Sequence, residues 1–368
     1  MYLRAIFVLQ IGVLTFLLGC GKTPKPETAS RPIGAPLSIQ PPLGLPALPI
    51  PDQNPPTAAT IALGRRLFYD VRLSADASLS CASCHNPSLG FSDGKRHSTG
   101  FGGKFGTRNA PTILNAAYSP TQFWDGRAPS LEEQAAGPIA NPIEMNQAHD
   151  VCASKLDDDP SYKAAFREAF GSGSVTMAKL KEAVASFERT LLSGNSRFDR
   201  YEFGGDKQAL SPAEIRGLAV FRDQKTGNCA ACHTIDQKFA LFTDGKFHNI
   251  GVGVNDDGEP TDLGRYSETK VESDKGAFKT PTLRNVALTA PYMHDGSLKT
   301  LKAVVDFYAG GGNSNPYLDP KMKTIHLSGL ERADLVAFLE SLTGDPPANA
   351  GPPPNGSPAT RAEMGRLQ

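Results

Sequence analysis

The sequence has no excess of charge of either sign, since its 38 Lys and Arg residues balance its 38 Asp and Glu residues. A protein that binds nucleic acid usually presents a basic surface to the phosphate groups. The balance therefore gives no electrostatic reason to expect a nucleic-acid partner. Aromatic residues are also few, at 8%, and tryptophan occurs once, as Trp124. Any role that requires a tryptophan can fall only on this residue.

The sequence lacks an apolar run long enough to span a membrane, which takes about 20 residues. Its N-terminal apolar run, from Ala5 to Leu18, is shorter and follows Arg4. The run ends in Leu17-Leu18-Gly19-Cys20, which has the pattern of a lipobox. Residues 1–19 are therefore predicted to be a lipoprotein signal peptide, and Cys20 the lipid-carrying first residue of the mature chain. This predicts an exported, periplasmic protein held by lipid alone, at the outer membrane in a Gram-negative cell because Gly21 follows the cysteine.

Cysteine is scarce, with six residues in the sequence. Four of them belong to two five-residue motifs, and Cys20 belongs to the lipobox. Cys152 remains without a partner, so it is predicted to be a buried or free thiol.

The two motifs, Cys81-Ala82-Ser83-Cys84-His85 and Cys229-Ala230-Ala231-Cys232-His233, have the C-x-x-C-H pattern of covalent haem attachment. The two thiols of each motif add to the vinyl groups of the porphyrin, and the adjacent histidine becomes the proximal ligand of the iron. A pair of disulfides or a Cys₄ zinc site would also use the cysteines, but neither explains the histidines. We therefore predict two covalently bound haem c groups, one held by Cys81, Cys84 and His85 and the other by Cys229, Cys232 and His233.

An internal repeat surrounds the two motifs. Residues 111–117, Pro-Thr-Ile-Leu-Asn-Ala-Ala, match residues 281–287, Pro-Thr-Leu-Arg-Asn-Val-Ala. The same shift along the sequence pairs Trp124-Asp125-Gly126 with His294-Asp295-Gly296. We call this constant shift, which carries Pro111 onto Pro281, the repeat offset. The predicted fold is therefore mainly α, with two tandem cytochrome c-like haem domains.

The repeat also sets the predicted domain boundaries. Residues 57–205 are predicted to form the N-terminal haem domain and residues 206–343 the C-terminal haem domain. Residues 20–56 are rich in proline and are predicted to tether the body to the membrane. Alternating apolar residues in the second half of this segment favour a course along the folded body. Residues 344–368 are predicted to be a disordered tail.

The repeat further predicts how the two irons differ on the side opposite the proximal histidine. A helix from Leu301 to Phe307 leads to Tyr308, and the repeat offset puts Pro138 at the equivalent position. A tyrosine side chain can ligate ferric iron, whereas a proline side chain cannot. The first haem is therefore predicted to be open and the second to carry Tyr308. Two alternatives stay open, His97 as a ligand that closes the first iron and Met293 as the ligand of the second.

An open haem that reacts with peroxide needs a group that moves protons. Glu144 is the favoured candidate, with His97 and His149 as rivals and a solvated surface carboxylate as the alternative interpretation. Trp124 replaces His294 of the second repeat, and it is predicted to relay electrons between the haems. A packed aromatic residue is the alternative interpretation of Trp124.

The sequence resembles the bacterial dihaem cytochrome c peroxidase family, including its MauG-type branch, over about residues 57–343. The resemblance rests on the two C-x-x-C-H motifs and on four further segments: Arg108-Asn109-x-Pro111-Thr112, Gln122-Phe123-Trp124-Asp125-Gly126-Arg127-Ala128, Glu144-Met145, and the run from Thr280 to Tyr292 with His294 after it.

The resemblance implies roles for these residues. The first haem would react with peroxide and the second would receive electrons, with the family's acid–base glutamate at Glu144 and its inter-haem tryptophan at Trp124. The resemblance also implies a calcium ion between the domains. Its ligands would be the side chain of Asn109 and the backbone carbonyl groups of Thr289 and Pro291, and oxygen ligands suit this hard cation.

Two positions depart from many peroxidases of the family and agree with the MauG-type branch. Phe101 stands where those members have a distal histidine on the first iron, and Tyr308 stands where they have a distal methionine on the second. MauG-type enzymes use peroxide to oxidise tryptophan residues of a partner protein. The surface tryptophan of MauG that exchanges electrons with this partner has no counterpart here, because Trp124 is the sole tryptophan.

We therefore expect a dihaem peroxidase that reacts with H₂O₂ at the His85-ligated haem, with assistance from Glu144. Trp124 and the haem held by His233 and Tyr308 would supply or share the oxidising equivalents. The electrons would come from a small redox protein or from residues of a specific protein substrate. The alternative is a non-enzymatic dihaem electron-transfer cytochrome, which requires a sixth ligand on both irons.

Overall fold

A computed structural model describes residues 31–353 of the chain. The described part is mainly helical, as the repeat predicts, and its two short strands form one antiparallel pair. The predicted signal peptide, the predicted lipidation site Cys20 and residues 354–368 lie outside the described residues. Within residues 31–353, no helix is both long enough and apolar enough to cross a membrane.

The helices divide between the two repeats. The first repeat contains α1 (Ala58–Phe68), α2 (Cys81–Cys84), α3 (Leu131–Ala140), α4 (His149–Asp157), α5 (Pro160–Phe170) and α6 (Met177–Glu188). The next helix, α7 (Arg197–Glu202), precedes residue 206, but its Phe198 packs against Phe242 and Phe338 in the core of the second repeat. The second repeat contains α8 (Pro212–Arg222), β1 (Phe247–His248), α9 (Tyr266–Thr269), β2 (Phe278–Lys279), α10 (Leu301–Ala309) and α11 (Gly329–Glu340). Short 3₁₀ turns connect several of these elements.

Polar N-caps start the helices that matter for the site. The side chain of Ser130 accepts a hydrogen bond from the backbone N–H of Glu133 at the start of α3. The side chain of Thr300 does the same for the backbone N–H of Ala303 at the start of α10. These bonds satisfy donors that the first helical turn leaves unpaired. The repeat offset carries one cap onto the other, so the sequence repeat is also a repeat of local structure.

Each repeat builds its core around one close helix crossing. In the first repeat α1 crosses α6, and a Cβ on Gly64 would lie 1.9 Å from the carbonyl oxygen of Ala183. In the second repeat α8 crosses α11, and a Cβ on Gly217 would lie 2.0 Å from the carbonyl oxygen of Asp334. Only glycine allows helix backbones to approach this closely, which explains why both repeats have one at this position.

Replacing Gly64 with Ala should therefore destabilise the protein, although alanine is the better helix former. We expect overpacking at the α1–α6 crossing to cost roughly 1–3 kcal/mol in the free energy of unfolding. Denaturant unfolding of the holoprotein measures this. Gly329 in α11 is the matched control, because a Cβ there meets no atom within 4 Å. Equal stability of the two variants would contradict the proposed crossing.

The segment before α1 lies along the folded body, as the alternating apolar pattern of its second half predicts. Contact begins early, because the backbone N–H of Ile33 donates to the carbonyl oxygen of Ala169 at 2.9 Å. Further along, the carbonyl oxygen of Gly44 accepts a hydrogen bond from Nη2 of Arg284 at 2.6 Å. Arg284 also pairs with Asp199, and both side chains are almost fully buried, at 1% and 0% exposure. From residue 31 onward this segment is thus a strap across both domains rather than a free tether.

The prediction of a disordered tail from Gly344 is wrong for residues 344–353, which also lie on the body. The backbone N–H of Asp345 donates to the carbonyl oxygen of Gly194 at 2.8 Å. Nε of Arg65 donates to the carbonyl oxygen of Gly351 at 2.7 Å, and the hydroxyl of Tyr69 donates to that of Ala350. An extended chain without helix or strand has free carbonyl groups, and side chains at and just after α1 supply the donors. Residues 344–353 therefore connect the end of the second domain to the α1 region of the first.

Candidate active site between the two C-x-x-C-H motifs

A cavity of about 680 Å³ is lined by both C-x-x-C-H motifs. The two attachment sites therefore open into one continuous space between the repeats. All predicted site residues within the described part line this cavity: Cys81, Cys84, His85, Asn109, Trp124, Pro138, Glu144, Cys229, Cys232, His233, Thr289, Pro291 and Tyr308.

Each motif forms a single tight turn that ends at its histidine. The backbone N–H of His85 donates to the carbonyl oxygen of Cys81, and that of His233 to the carbonyl oxygen of Cys229, both at 2.9 Å. This closure puts both cysteines of a motif on one turn with the histidine directly after it. The arrangement fits the covalent attachment that the spacing predicts.

Both motif histidines are oriented for metal binding through the same ring nitrogen. Nδ1 of His85 lies 3.1 Å from the carbonyl oxygen of Phe91, and Nδ1 of His233 lies 2.9 Å from that of Phe242. Donation from Nδ1–H leaves Nε2 of each ring as the free metal-binding atom. Burial lowers the pKa of both histidines, which favours the neutral form that binds a metal. These residues therefore fit two haem c groups.

The helices that carry Pro138 and Tyr308 correspond residue for residue. α3 begins at Leu131 and α10 at Leu301, so Pro138 and Tyr308 each occupy the eighth position of their helix. Both side chains line the cavity. Burial raises the pKa of the Tyr308 hydroxyl, and nearby Cys229 adds to the shift. The phenolate form that a ferric ion binds would therefore depend on the positive charge of the metal.

The rival residues differ in where they lie. Met293 lines the same cavity as Tyr308. In the described part of the chain, His97 and His149 do not line the cavity. Nε2 of His149 lies 2.9 Å from the carbonyl oxygen of Ala136, and Nε2 of His97 is buried without a hydrogen-bond partner in the described part.

Glu144 reaches the cavity from the turn after α3. Its Oε1 accepts a hydrogen bond from Nδ2 of Asn141 at 2.9 Å, which leaves Oε2 for another partner. Burial raises the pKa of the Glu144 carboxyl, and the nearby positive charge of Arg127 opposes the shift. The backbone N–H of Phe101 donates to the carbonyl oxygen of Glu144 at 2.8 Å, which ties the turn to the loop around Phe101. The carboxyl group of Glu144 is therefore fixed by a hydrogen bond and partly removed from solvent, unlike a solvated surface carboxylate.

Trp124 lies at the contact between the two domains. Its indole Nε1–H donates to the carbonyl oxygen of Asn109 at 2.9 Å. Its own carbonyl oxygen accepts a hydrogen bond from the backbone N–H of Lys279, in the second domain, at 2.8 Å. His294, the equivalent of Trp124 in the second repeat, instead stacks on Phe278 with 3.6 Å between the ring centroids. Trp124 is thus hydrogen-bonded at the domain boundary and open to the cavity.

The residues implied for calcium offer uncharged oxygen atoms at this boundary. Nδ2 of Asn109 donates to the carbonyl oxygen of Lys95 at 2.8 Å, which leaves Oδ1 as an acceptor. In the part of the chain that the structure describes, the carbonyl oxygens of Thr289 and Pro291 accept no backbone hydrogen bond. This set of donor atoms fits a hard cation.

Glu188 was not identified from the sequence, although it lines the cavity and is only 5% exposed. Phe187 lies against Gly64 at the α1–α6 crossing as Phe338 lies against Gly217 at the α8–α11 crossing, so these two phenylalanines are equivalent. The residues that follow them, Glu188 and Leu339, are therefore equivalent as well. Both of these residues face the cavity, but only the first haem site has a carboxyl group at this position. Burial raises the pKa of Glu188 to about 8. The signal in the sequence was a carboxylate at a position where the other repeat has leucine.

Glu188 should make the reduction potential of the first haem depend on pH. As pH rises through about 8, the carboxyl ionises and its negative charge favours oxidised iron, so the potential falls. Arg189 and Glu132 are the charged neighbours that act on Glu188, and they act in opposite directions. We expect this fall to be clearly smaller in Glu188→Gln in a spectroelectrochemical titration from mildly acidic to alkaline pH. The Leu339→Gln variant is the control, and an unchanged pH profile in Glu188→Gln would contradict the assignment.

His248 carried no interpretable signal in the sequence, yet it also lines the cavity. Its Nε2 lies 2.9 Å from a carboxylate oxygen of Asp244, and its Nδ1 contacts a carboxylate oxygen of Asp319. The three ligand atoms of Cys232, Asp244 and His248 lie within 4.8 Å of one another. Because the predicted haem attachment would use the thiol of Cys232, we interpret His248 as a side chain fixed by two carboxylates at the edge of the second haem site.

The chain matches known proteins over both repeats. Residues 58–208 match the family described as di-haem cytochrome c peroxidase, and residues 214–343 match the family described as cytochrome c. The methylamine utilization protein MauG of Methylorubrum extorquens is 44% identical over 82% of this chain and 83% of that protein. The cytochrome c551 peroxidase of Nitrosomonas europaea is 38% identical over 86% of this chain and 90% of that protein.

Solved structures agree with these matches. The crystal structure of a MauG-like protein associated with microbial copper homeostasis has a TM-score of 0.75 and 34% identity, and the match covers 83% of this chain and 95% of that one. The predicted fold class of two tandem cytochrome c-like domains is therefore confirmed, as is the predicted pair of haem c groups. The chain belongs to the di-haem cytochrome c peroxidase family and is a dihaem oxidoreductase of the peroxidase type.

Proposed function

We propose that the haem site at His85 is open to hydrogen peroxide, whereas the haem site at His233 is closed by Tyr308. The observation that carries this proposal is the pairing of Pro138 with Tyr308 at the eighth position of two matched helices that face one cavity. A proline side chain offers no metal ligand, so the first site keeps a free coordination position for a substrate.

The bound haem iron at His85 would supply the metal centre on which the O–O bond of peroxide is cleaved. The protein's contribution is to orient His85 through the carbonyl group of Phe91 and to move one proton. Asn141 holds Oε1 of Glu144, so Oε2 would accept one proton from the peroxide and return it to the oxygen atom that leaves as water. Because burial raises the pKa of Glu144, its carboxylate is a stronger base than a free one, which suits a group that must first accept a proton.

Trp124 would be the aromatic residue through which the two sites exchange electrons. Its position supports this role, because its hydrogen bonds reach Asn109 in its own domain and Lys279 in the other. A calcium ion at Asn109, Thr289 and Pro291 would hold this contact together. The electrons would come from a small redox protein or from oxidisable residues of a protein substrate, and the MauG relatives favour the second source.

We also propose that the chain is exported to the periplasm and anchored by lipid at Cys20. The lipobox Leu17-Leu18-Gly19-Cys20 supports this proposal. Metabolic labelling with a radioactive fatty acid should mark the wild-type chain and not a Cys20→Ala variant. Equal labelling of both chains would exclude this anchor.

The experiment that tests the proposed active site is the addition of one equivalent of H₂O₂ to the fully oxidised holoprotein, with optical and low-temperature EPR spectra before and after. We expect one high-spin and one low-spin haem at rest, and rapid loss of the high-spin signal on addition. Two low-spin haems that do not respond to peroxide would instead support a coordinatively closed electron-transfer cytochrome, with His97 as the first residue to examine.

A further inference from the structure

The two repeats bind each other through a pair of equivalent hydrogen bonds. The backbone N–H of Lys279 donates to the carbonyl oxygen of Trp124 at 2.8 Å, and the backbone N–H of Asn109 donates to that of His294 at 2.7 Å. Both bonds cross the domain boundary. The repeat offset relates the two donors to each other and the two acceptors to each other, so the contact has approximate two-fold symmetry.

The side chain of Lys279 fills a small polar site at this boundary. Its Nζ donates to Oγ of Ser119 at 2.7 Å and to the carbonyl oxygen of Thr121, both in the first domain. Among residues 31–353, no carboxylate forms an ion pair with this Nζ. Burial lowers the pKa of Lys279 to about 8, and the more distant charge of Asp125 opposes the shift. The ammonium group is thus held by uncharged oxygen atoms, which is how proteins often hold a metal ion and is unusual for a partly buried lysine.

The approximate symmetry relates this site to the proposed calcium site. The repeat offset pairs its three members with three others: Lys279 with Asn109, Ser119 with Thr289, and Thr121 with Pro291. Each member on one side of the boundary has its equivalent on the other. The Asn109 side presents an amide oxygen and two carbonyl oxygens, and none of these residues brings a positive charge. On the opposite side Lys279 brings that charge itself.

We propose that Lys279 is a built-in cation, whose ammonium group occupies the symmetry-related counterpart of the calcium site and replaces a second metal ion. This inference rests on the proposed calcium site at Asn109. It explains why two symmetry-related sites of similar oxygen donors contain a lysine in one case, Lys279, and an asparagine in the other, Asn109. It also assigns a function to a partly buried lysine that forms no ion pair within the described part of the chain.

The positions of the two cations make Lys279 a positioning residue for Trp124. On one side, the indole of Trp124 donates to the carbonyl oxygen of Asn109. On the other side, Lys279 holds Thr121, which lies just before Trp124 in the sequence, and also bonds to the backbone of Trp124 itself. A chelator can remove only one of the two cations, so half of the contact is independent of metal supply.

The test is the number of tightly bound calcium ions per chain, measured by elemental analysis of the dialysed holoprotein. We expect one ion in the wild type, two in Lys279→Asn, one in Lys279→Met and none in Asn109→Lys. One ion in all three of wild type, Lys279→Asn and Lys279→Met would overturn the inference about Lys279 and leave the calcium site at Asn109 intact. No ion in the wild type would overturn the calcium site and the inference together.

A second readout separates a cation site from simple packing. Ca²⁺ that binds only the native state raises the unfolding temperature with its concentration. Added Ca²⁺ should therefore stabilise Lys279→Asn beyond the response of the wild type, whereas Lys279→Met should respond like the wild type. Identical responses of Lys279→Asn and Lys279→Met to Ca²⁺ would mean that Lys279 only fills space. Asn109→Lys should still fold and bind both haems, because its ammonium group would supply the missing charge.

Discussion

Replacing Glu144 with Gln is expected to slow the reaction of the oxidised protein with H₂O₂ by about 10²–10⁴-fold, the usual contribution of a positioned acid–base group. Glutamine keeps the size of the side chain and its contact with Asn141, but it cannot accept a proton. The reaction should be followed by stopped-flow absorbance in the Soret region. Resting optical spectra that match the wild type would show that the haem sites are otherwise intact.

The pH profile of this reaction gives a second check on Glu144. Only the carboxylate form can accept the first proton, so the wild-type rate should fall as pH falls through the raised pKa of Glu144. The Glu144→Gln variant should lack this fall. Glu133→Gln on α3 is the matched control, because Glu133 is exposed and pairs with Lys181 outside the cavity. A Glu144→Gln variant with wild-type kinetics would remove Glu144 from the mechanism.

The Tyr308→Phe variant should lose the sixth ligand of the second haem. We expect this haem to change from low spin to high spin, or to take up another ligand. We also expect its reduction potential to rise by ~0.1 V or more, because a phenolate stabilises ferric iron and axial ligands move haem potentials over ≈ 0.8 V. EPR spectra and a spectroelectrochemical titration measure the two changes.

Two further variants make this second prediction specific. Tyr292 also lines the cavity and has a pKa raised by burial, so Tyr292→Phe removes a comparable hydroxyl without affecting the proposed ligand. Met293→Leu tests the competing ligand. If Tyr308→Phe left the spectrum unaltered and Met293→Leu changed it, the assignment of Tyr308 would be wrong.

The fold class could be predicted because covalent haem attachment imposes a strict local pattern. A C-x-x-C-H motif must form one turn to reach both vinyl groups, so two copies indicated two similar domains. The repeat offset then placed Pro138 at the position equivalent to Tyr308. The structure agrees with this alignment, because α3 and α10 begin at equivalent residues, Leu131 and Leu301. Local chemistry and repeat spacing sufficed for these residues.

Glu188 could not be found in the same way, because the spacing between the repeats is not constant. Phe187 and Phe338 are closer in sequence than the repeat offset, since α4 and α5 lengthen the first repeat between α3 and α6. The repeat offset therefore does not align Glu188 with Leu339. The role of Lys279 was hidden for a different reason, because its significance depends on what surrounds its ammonium group in three dimensions.

The course of residues 344–353 was not predictable from composition. Proline and glycine exclude regular structure, but they do not exclude an extended course whose carbonyl groups find donors elsewhere. Here the donors are Arg65 of α1 and Tyr69 directly after it, near the opposite end of the described chain. Composition contains no information about contacts between such distant segments.

The two end segments of the described chain, residues 31–56 and 344–353, make the domains interdependent in folding. The strap at Gly44 is bound by Arg284 of the second domain, and residues 344–353 are bound by the α1 region of the first. The segment that precedes the first domain in the sequence is therefore bound by the second domain, and the segment that follows the second domain is bound by the first. Although proteins with several domains often unfold in steps, these two should melt together as one cooperative unit. Separate expression of either half would leave it without the segment that closes it.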